Sequence, residues 1–219
     1  MINTTELKGV ILAGGDGTRL RPLTFVTNKH LLPVFDKPMI VHPLESLKGV
    51  GIKDICIVTG SEHIADFMRF LGSGERFNVS TTYKIQDKPM GIAHALLLSK
   101  EFFGHGKVTA ILGDNIFEKL HVPKEAFTDD NAYICIKAVD DPQRFGVAEL
   151  DASGNVVGIE EKPKIPKSDY AVVGFYIYPN DVFEFIMGLK PSQRGELEIT
   201  DVNNHYLKQH RLKVLRLDG

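Results

Sequence analysis

The chain has 219 residues, a net charge of −2, 43% hydrophobic and 25% charged residues, the make-up of an ordinary globular protein with enough length for one large α/β domain or two small ones. Near-neutral charge leaves no electrostatic footprint for nucleic acid or for an anionic membrane surface, and no apolar run approaches the ~20 residues of a membrane span. Met1-Ile2-Asn3-Thr4-Thr5-Glu6 lacks the basic and apolar regions of a signal peptide, so a cytoplasmic protein is expected.

Val10 to Leu12 reads as a buried strand. It runs into Ala13-Gly14-Gly15-Asp16-Gly17-Thr18-Arg19-Leu20, and Lys29 follows ten residues after Arg19. Glycines there let the backbone bend sharply and approach a ligand, and successive free N–H groups form an anion-binding concavity. A polyphosphate cradle at the end of the first strand of an α/β sheet is therefore expected; the plainer alternative is a tight strand-to-helix turn. Gly17 is not followed by Lys-Ser/Thr as a P-loop requires, and Leu20 stands where a dinucleotide fingerprint needs its third glycine.

Asp36-Lys37-Pro38 suggests a turn, with Pro38 opening a helix that carries Met39, Ile40, Leu44 and Leu47 and stops at Gly51. Asp54 to Thr59 and Val79 to Ile85 read as strands, Glu62 to Leu71 and Ile92 to Leu98 as helices, and Val108 to Leu112 as another buried strand. This alternation is that of a parallel sheet with helices on both faces. From Tyr133 onward strands follow one another closely: Tyr133–Ala138, Val147–Leu150, Val156–Glu160 and Ala171–Tyr178, with Ser153-Gly154-Asn155 as a hairpin turn. Val182–Met187 and Thr200–Gln209 are expected helices and Leu212–Leu217 a last strand. The second half is thus expected to extend a doubly wound, mostly parallel α/β sheet with antiparallel strands that carry a sugar-sized subsite. A single unit over 1–219 with halves 1–130 and 131–219, or two small domains, both fit. Cys56 and Cys135 lie inside apolar runs and are expected to be buried free thiols.

Asp114 follows Ile111-Leu112-Gly113 at a strand end, where a carboxylate facing a phosphate cradle could hold Mg²⁺ together with phosphate oxygens. The alternative is an Asp114-Asn115 turn pair satisfying its own backbone. Gly113 would leave room for a ligand. Arg19 and Lys29 are candidate triphosphate ligands, since nucleotidyl transfer is met by positioning and cations rather than by a protein nucleophile. Gln86 can donate and accept at once and so match the imide edge of thymine or uracil, with Gly91 admitting the backbone to the same ring; a solvent-facing loop Gln is the plainer reading. Phe145-Gly146-Val147 and Glu160-Glu161-Lys162-Pro163 could bind sugar hydroxyls and a monophosphate, or simply be a solvated strand end. His30, His42 and His94 show no metal spacing and are expected to pack or to support other groups.

Gly14-Gly15-Asp16-Gly17-Thr18-Arg19-Leu20, Asn28-Lys29-His30-Leu31-Leu32-Pro33-Val34-Phe35-Asp36-Lys37-Pro38-Met39, Leu112-Gly113-Asp114-Asn115, Glu160-Glu161-Lys162-Pro163 and Gly195-Glu196-Leu197-Glu198-Ile199-Thr200-Asp201 together resemble the sugar-phosphate nucleotidylyltransferase family, nearest its thymidylyl-transferring members. The resemblance implies a Rossmann-like nucleotide-binding core with an inserted sugar subsite, and the reaction of a nucleoside triphosphate with a sugar 1-phosphate to give an NDP-sugar and pyrophosphate. It implies nucleotide binding by Leu12, Ala13, Gly14, Gly15, Gly17, Thr18, Arg19, Lys29, Gln86 and Gly91. It further implies Mg²⁺ on Asp114 and a sugar phosphate on Asn115, Gly146, Glu161, Lys162 and Val172. The partners implied are dTTP or UTP and a sugar 1-phosphate, with no nucleic acid or membrane. Phe145 stands where the family has Tyr, and His30 and His94 where many members have Gln, which loosens the assignment of base and sugar.

In the family, the Gly-Glu-Leu-Glu-Ile-Thr-Asp segment is followed by a helix, a strand and an aromatic-x-Asp-x-Gly-Thr motif whose Asp is a second Mg²⁺ ligand. Leu217-Asp218-Gly219 comes too soon after Asp201 for Asp218 to take that role. The resemblance therefore implies a C-terminally truncated chain, binding nucleotide but turning over feebly, with apolar surface at Leu212, Val214 and Leu215 open to homo-oligomerisation. A non-catalytic NDP-sugar sensor is a competing reading, opposed by the joint presence of Arg19, Lys29 and Asp114. A dehydrogenase is opposed by the missing glycine.

Overall fold

The computed structural model describes residues 7–15 and 17–217; Asp16 of the glycine loop and Asp218 lie outside them. Strand β1 (Lys8–Ala13) leads into 3₁₀ turns at Thr18–Leu20, Leu23–Phe25 and Lys29–Leu31. A miniature ladder follows, β2 (Pro33–Val34) against β3 (Lys37–Pro38), turned by Phe35 at φ 59° and Asp36. Pro38 therefore ends a strand instead of opening a helix; α1 starts at Val41 and runs Val41–Gly49. The remaining elements of the first half are β4 (Asp54–Gly60), α2 (Ile64–Leu71), β5 (Ser80–Gln86), α3 (Ile92–Leu97), the short α4 (Lys100–Phe103) and β6 (Val108–Leu112). The second half holds β7 (Ala132–Ala138), β8 (Gly146–Leu150), β9 (Val156–Glu161), β10 (Tyr170–Tyr178), α5 (Val182–Gly188), α6 (Ile199–Lys208) and β11 (Leu212–Arg216).

The main sheet runs in the order β11-β7-β10-β6-β1-β4-β5. β1 pairs in parallel with both β4 and β6, and β4 with β5. β1, β4 and β6 are buried on both faces, which is why they read as continuous apolar runs, whereas β5 at the sheet edge is largely exposed. Alternate residues feed two cores: Val10, Leu12, Cys56 and Val58 pack with α3, α5 and α6, while Ile11, Ile55 and Ile57 pack with Leu44 and Leu47 of α1 and Phe67 of α2. Both cysteines are buried and free.

The second half differs from a plain antiparallel extension. β10 runs against β6 and β7, so β7 points the same way as β6, and β11 pairs parallel to β7. One inverted strand thus joins the halves, and the apolar residues of β11 are half-buried at the sheet edge. The C-terminal part of β10 pairs with β6, while its first turn of chain touches β8 at Ala171–Val147. The β8–β9 hairpin therefore projects past the end of β6, over the edge where β1, β4, β5 and β6 all stop. Register puts Ala13 beside Thr59, Gly60 beside Gln86, and Leu12 beside Leu112 on that edge. Among the described residues no helix is long and apolar enough to cross a membrane.

Candidate active site

At this edge lies a cavity of about 230 Å³ lined by Leu12, Gly14, Gly15, Lys29, His30, Gln86, Gly91, Leu112, Asp114 and Glu196, among others. Of the sequence-expected nucleotide residues, Leu12, Gly14, Gly15, Lys29, Gln86 and Gly91 line it, and Asp114 joins them from 85 residues beyond Lys29. Gly15 (φ 96°) and Gly17 (φ 57°) take the left-handed backbone that makes the loop turn. A Cβ on Gly17 would also fall 2.9 Å from Cγ2 of Thr24. Thr24 closes the loop by donating its hydroxyl to the Gly17 carbonyl at 2.8 Å.

Lys29 donates to Asp114 Oδ2 at 2.5 Å, and Asn115 Nδ2 donates to Asp114 Oδ1 at 3.1 Å. Burial pushes the Asp114 carboxyl up, but the adjacent Lys29 ammonium and the hydrogen bonds outweigh it and hold the group below the usual carboxylate range. Asn115 is itself held: its Oδ1 accepts the Gly174 N–H of β10 at 2.9 Å. Asp114-Asn115 is thus more than a self-satisfied turn; it ties the end of β6 to β10, the strand that joins the two halves.

His30 fills the space beside Gly113 that the sequence suggests for a ligand. A Cβ at Gly113 would lie 2.7 Å from His30 Cδ2 and 2.9 Å from Nε2. Asn28 Oδ1 accepts both the His30 backbone N–H, at 2.9 Å, and Nδ1–H, at 2.6 Å. Burial, with Lys29 next to it, pushes His30 down to about 3, so the ring is neutral with its lone pair on Nε2.

Gln86, the last residue of β5, is buried and not in a solvent-facing loop. Its amide nitrogen donates to the Gly91 carbonyl at 3.3 Å and to His94 Nδ1 at 2.9 Å. The amide therefore shows the cavity an acceptor only, correcting the expectation that it both donates and accepts there. Gly91 has φ 95°, and a Cβ on it would lie 2.5 Å from the Leu197 carbonyl oxygen. Its lack of a side chain is needed by the neighbouring Glu196-Leu197 segment rather than by a ligand.

Ala13 is fully buried at the end of β1, below the loop. Thr18 and Arg19 are exposed on their 3₁₀ turn and are not part of the cavity wall. Among the described residues Arg19 holds no ion pair.

The sugar-side residues form a second cluster under the β8–β9 hairpin. Gly146 and Glu161 are register partners. Glu161 Oε2 accepts from the Thr200 hydroxyl at 2.6 Å, its Oε1 lies 3.3 Å from Arg194, and Lys162 Nζ stands 3.8 Å from it. Arg194 also bonds Glu198 at 2.7 Å and Glu196 at 3.3 Å. Glu196 also walls the cavity at the strand ends, so the carboxylate–arginine chain links the two clusters. A Cβ on Gly146 would come within 3.0 Å of Thr200 Oγ1, so this glycine keeps the cluster tight. Glu160-Glu161-Lys162-Pro163 is thus not merely a solvated strand end. Val172 is buried in the core with Ala148 and Ile159 and supports the hairpin from beneath. Sequence reasoning gave no role to Arg194 or Thr200; the signals were a cation just before the acids Glu196 and Glu198, and a hydroxyl within the Gly195–Asp201 motif. Among the described residues the His42 ring makes only a long contact to the Val34 carbonyl, 3.5 Å away.

The chain belongs to the nucleotidyl transferase family, whose profile matches residues 8–218. It is similar to the glucose-1-phosphate thymidylyltransferase of Neisseria gonorrhoeae, 48% identical over 95% of this chain and 74% of that protein. The Mycobacterium tuberculosis enzyme of the same name is 46% identical, with 95% and 73% covered. Among solved structures it resembles a Bacillus anthracis chain assigned to glucose-1-phosphate thymidylyltransferase and complexed with sucrose, at TM-score 0.91 and 53% identity over 97% of this chain and 87% of that one. It also resembles a UDP-glucose pyrophosphorylase complexed with UDP-glucose, at TM-score 0.84 and 25% identity over 97% and 90%.

Proposed function

We propose that this nucleotidyltransferase joins dTTP to glucose 1-phosphate, giving dTDP-glucose and pyrophosphate. The observation that carries the reading is the Lys29–Asp114 pair, 2.5 Å apart on the wall of a cavity that Gln86 also lines. In this reading the nucleotide follows the Gly14–Gly17 loop, Gln86 and Gly91 contact the base, and Lys29 and Arg19 meet the triphosphate charge. Arg194, Glu161 and Lys162 receive the sugar phosphate, with Asn115 between the two groups. A phosphate oxygen of glucose 1-phosphate attacks the α-phosphorus in line; the bond from that phosphorus to the bridging oxygen breaks, and pyrophosphate leaves carrying the electron pair. No protein nucleophile is called for. Neither thiol could serve as one, since burial pushes Cys56 and Cys135 up to about 12.

The Asp114 carboxylate, held below the usual carboxylate range on the wall of this cavity, suits Mg²⁺, which takes one or two carboxylates and completes its octahedron with phosphate oxygens and water. Among the described residues no group of three acidic, His or Cys side chains competes for that role. Bound through Asp114, the ion would neutralise charge on the reacting phosphates. We further read residues 1–219 as one catalytic unit, with a nucleotide half over 1–130 and a sugar-phosphate half over 131–219, working in the cytoplasm on soluble substrates.

Pyrophosphate release measured with dTTP, UTP, CTP, GTP and ATP crossed with several sugar 1-phosphates tests the reading. dTTP with glucose 1-phosphate is expected to be the best pair and UTP the nearest competitor, because one methyl group is worth only ~1–3 kcal/mol. A purine nucleotide as best substrate would overturn the base assignment, and no release with any pair would favour an NDP-sugar sensor.

A further inference from the structure

We propose that His94 is a positioning residue: it sets which end of the Gln86 amide faces the nucleotide cavity, and so selects thymine and uracil over cytosine. The inference rests on the reading that Gln86 contacts the base.

One end of the Gln86 amide lies 3.3 Å from the Gly91 carbonyl oxygen and 2.9 Å from His94 Nδ1. A carbonyl oxygen only accepts, so the atom at that end is the nitrogen. It follows that His94 Nδ1 is the lone-pair nitrogen and that the ring carries its proton on Nε2. Both hydrogens of the Gln86 amide are then used, one by Gly91 and one by His94. The oxygen is turned the other way, over Gly14, where an added Cβ would sit 2.9 Å from it. Among the described residues no protein group donates to that oxygen.

Gln86 is 8% exposed, so an amide N–H left without an acceptor there is costly. With His94 in place, turning the amide over would press its oxygen against two acceptors, the Gly91 carbonyl and Nδ1. Without His94 only the longer Gly91 contact opposes the turn. In this reading the oxygen faces ring nitrogen N3 of the base, out of reach of an exocyclic amino group at C4, and so matches a base whose N3 carries a hydrogen. Thymine and uracil do; cytosine has a lone pair at N3 and would meet the oxygen with like charge.

The test compares kcat/KM for dTTP, UTP and CTP in the wild type, His94→Leu, His94→Asn and Gln86→Ala. In His94→Asn the side-chain oxygen can stand where Nδ1 stood and accept the same hydrogen. His94→Leu is expected to reduce the preference for dTTP over CTP by about tenfold, mainly through nucleotide KM, the effect expected when a buried polar reader loses its partner. His94→Asn should retain the wild-type preference, and Gln86→Ala should lose it. A preference kept in His94→Leu but lost in Gln86→Ala overturns the role of His94 and leaves the base-site reading standing. A preference kept in Gln86→Ala overturns that reading itself. A ¹⁵N NMR measurement on the wild type needs no substitution: the Nε2–H tautomer of His94 is expected, and the Nδ1–H tautomer would overturn the inference.

Discussion

Two ionisable side chains and one neutral ring set the chemistry of the nucleotide cavity. Lys29 holds Asp114 ionised and, among the described residues, is the one Lys or Arg in the cavity wall. Replacing it by Met removes a charge aimed at the leaving phosphates. Turnover is expected to fall about a hundredfold or more, on the order of 3 kcal/mol of transition-state stabilisation, read as kcat for pyrophosphate release. Arg19 makes a sharper comparison. It is exposed on its turn, so a large loss of kcat in Arg19→Ala means that the side chain swings onto the triphosphate, while wild-type turnover removes it from the site. His30 makes the site acid-sensitive. Its folded value is depressed from 6.5 to about 3 by burial, so the unfolded chain binds the extra proton first. Stability is therefore expected to fall as pH drops through that window, by up to about 1.4 kcal/mol per pH unit. Thermal melts from pH 7 to pH 4 should show a shallower slope for His30→Gln; an unaltered slope would assign the acid sensitivity to other groups.

Among the elements, β10 bears the most on function, because it joins the two halves of the sheet and carries Gly174 against the end of β6. A Cβ at Gly174 would lie 2.5 Å from Leu112 Cγ and 2.8 Å from Asn115 Oδ1. Gly174→Ala therefore has to push β10 away from β6 or displace Asn115, and with it the hydrogen bond that steadies Asp114. Overpacking of this kind costs roughly 1–3 kcal/mol. A lowered melting temperature together with a raised KM for the sugar phosphate is expected. Loss of stability with unchanged kinetics would show that Asn115 does not depend on this contact.

Across the whole molecule, the two side-chain clusters proposed to bind nucleotide and sugar phosphate sit on both sides of the β6–β10 junction, and Glu196 and Arg194 connect them. A nucleotide that bridges them binds the folded chain alone and must stabilise it by mass action. At a concentration 100 times its dissociation constant, dTDP is expected to add about 2.7 kcal/mol, a shift of roughly 5–10 °C for a chain of this size. In differential scanning fluorimetry CDP should shift the melt less than dTDP and UDP do, and equal shifts for all three would count against a base-reading cavity.

Much of this was legible in the linear chain, and for a definite reason. Val10–Leu12, Asp54–Thr59 and Val108–Leu112 are apolar because both faces of a parallel sheet are covered, so burial writes itself into local composition. Gly15 and Gly17 mark a loop that only a residue without a side chain can follow. Asp114 and Gln86 were identifiable by residue type and by their place at or just past strand ends, and Lys29 as a cation ten residues after Arg19. Tertiary structure alone decided who meets whom. Periodicity reports that a segment is buried but carries neither its partner nor its direction, so the parallel course of β7 and β11 was not visible, nor was the ladder that took Pro38 out of a helix. Hydrogen-bond roles depend on neighbours distant in sequence or turned by the backbone. Nothing local in Gln86 says that Gly91 and His94 consume its donors, and nothing local in Arg194 says that Glu161, 33 residues earlier, lies within reach.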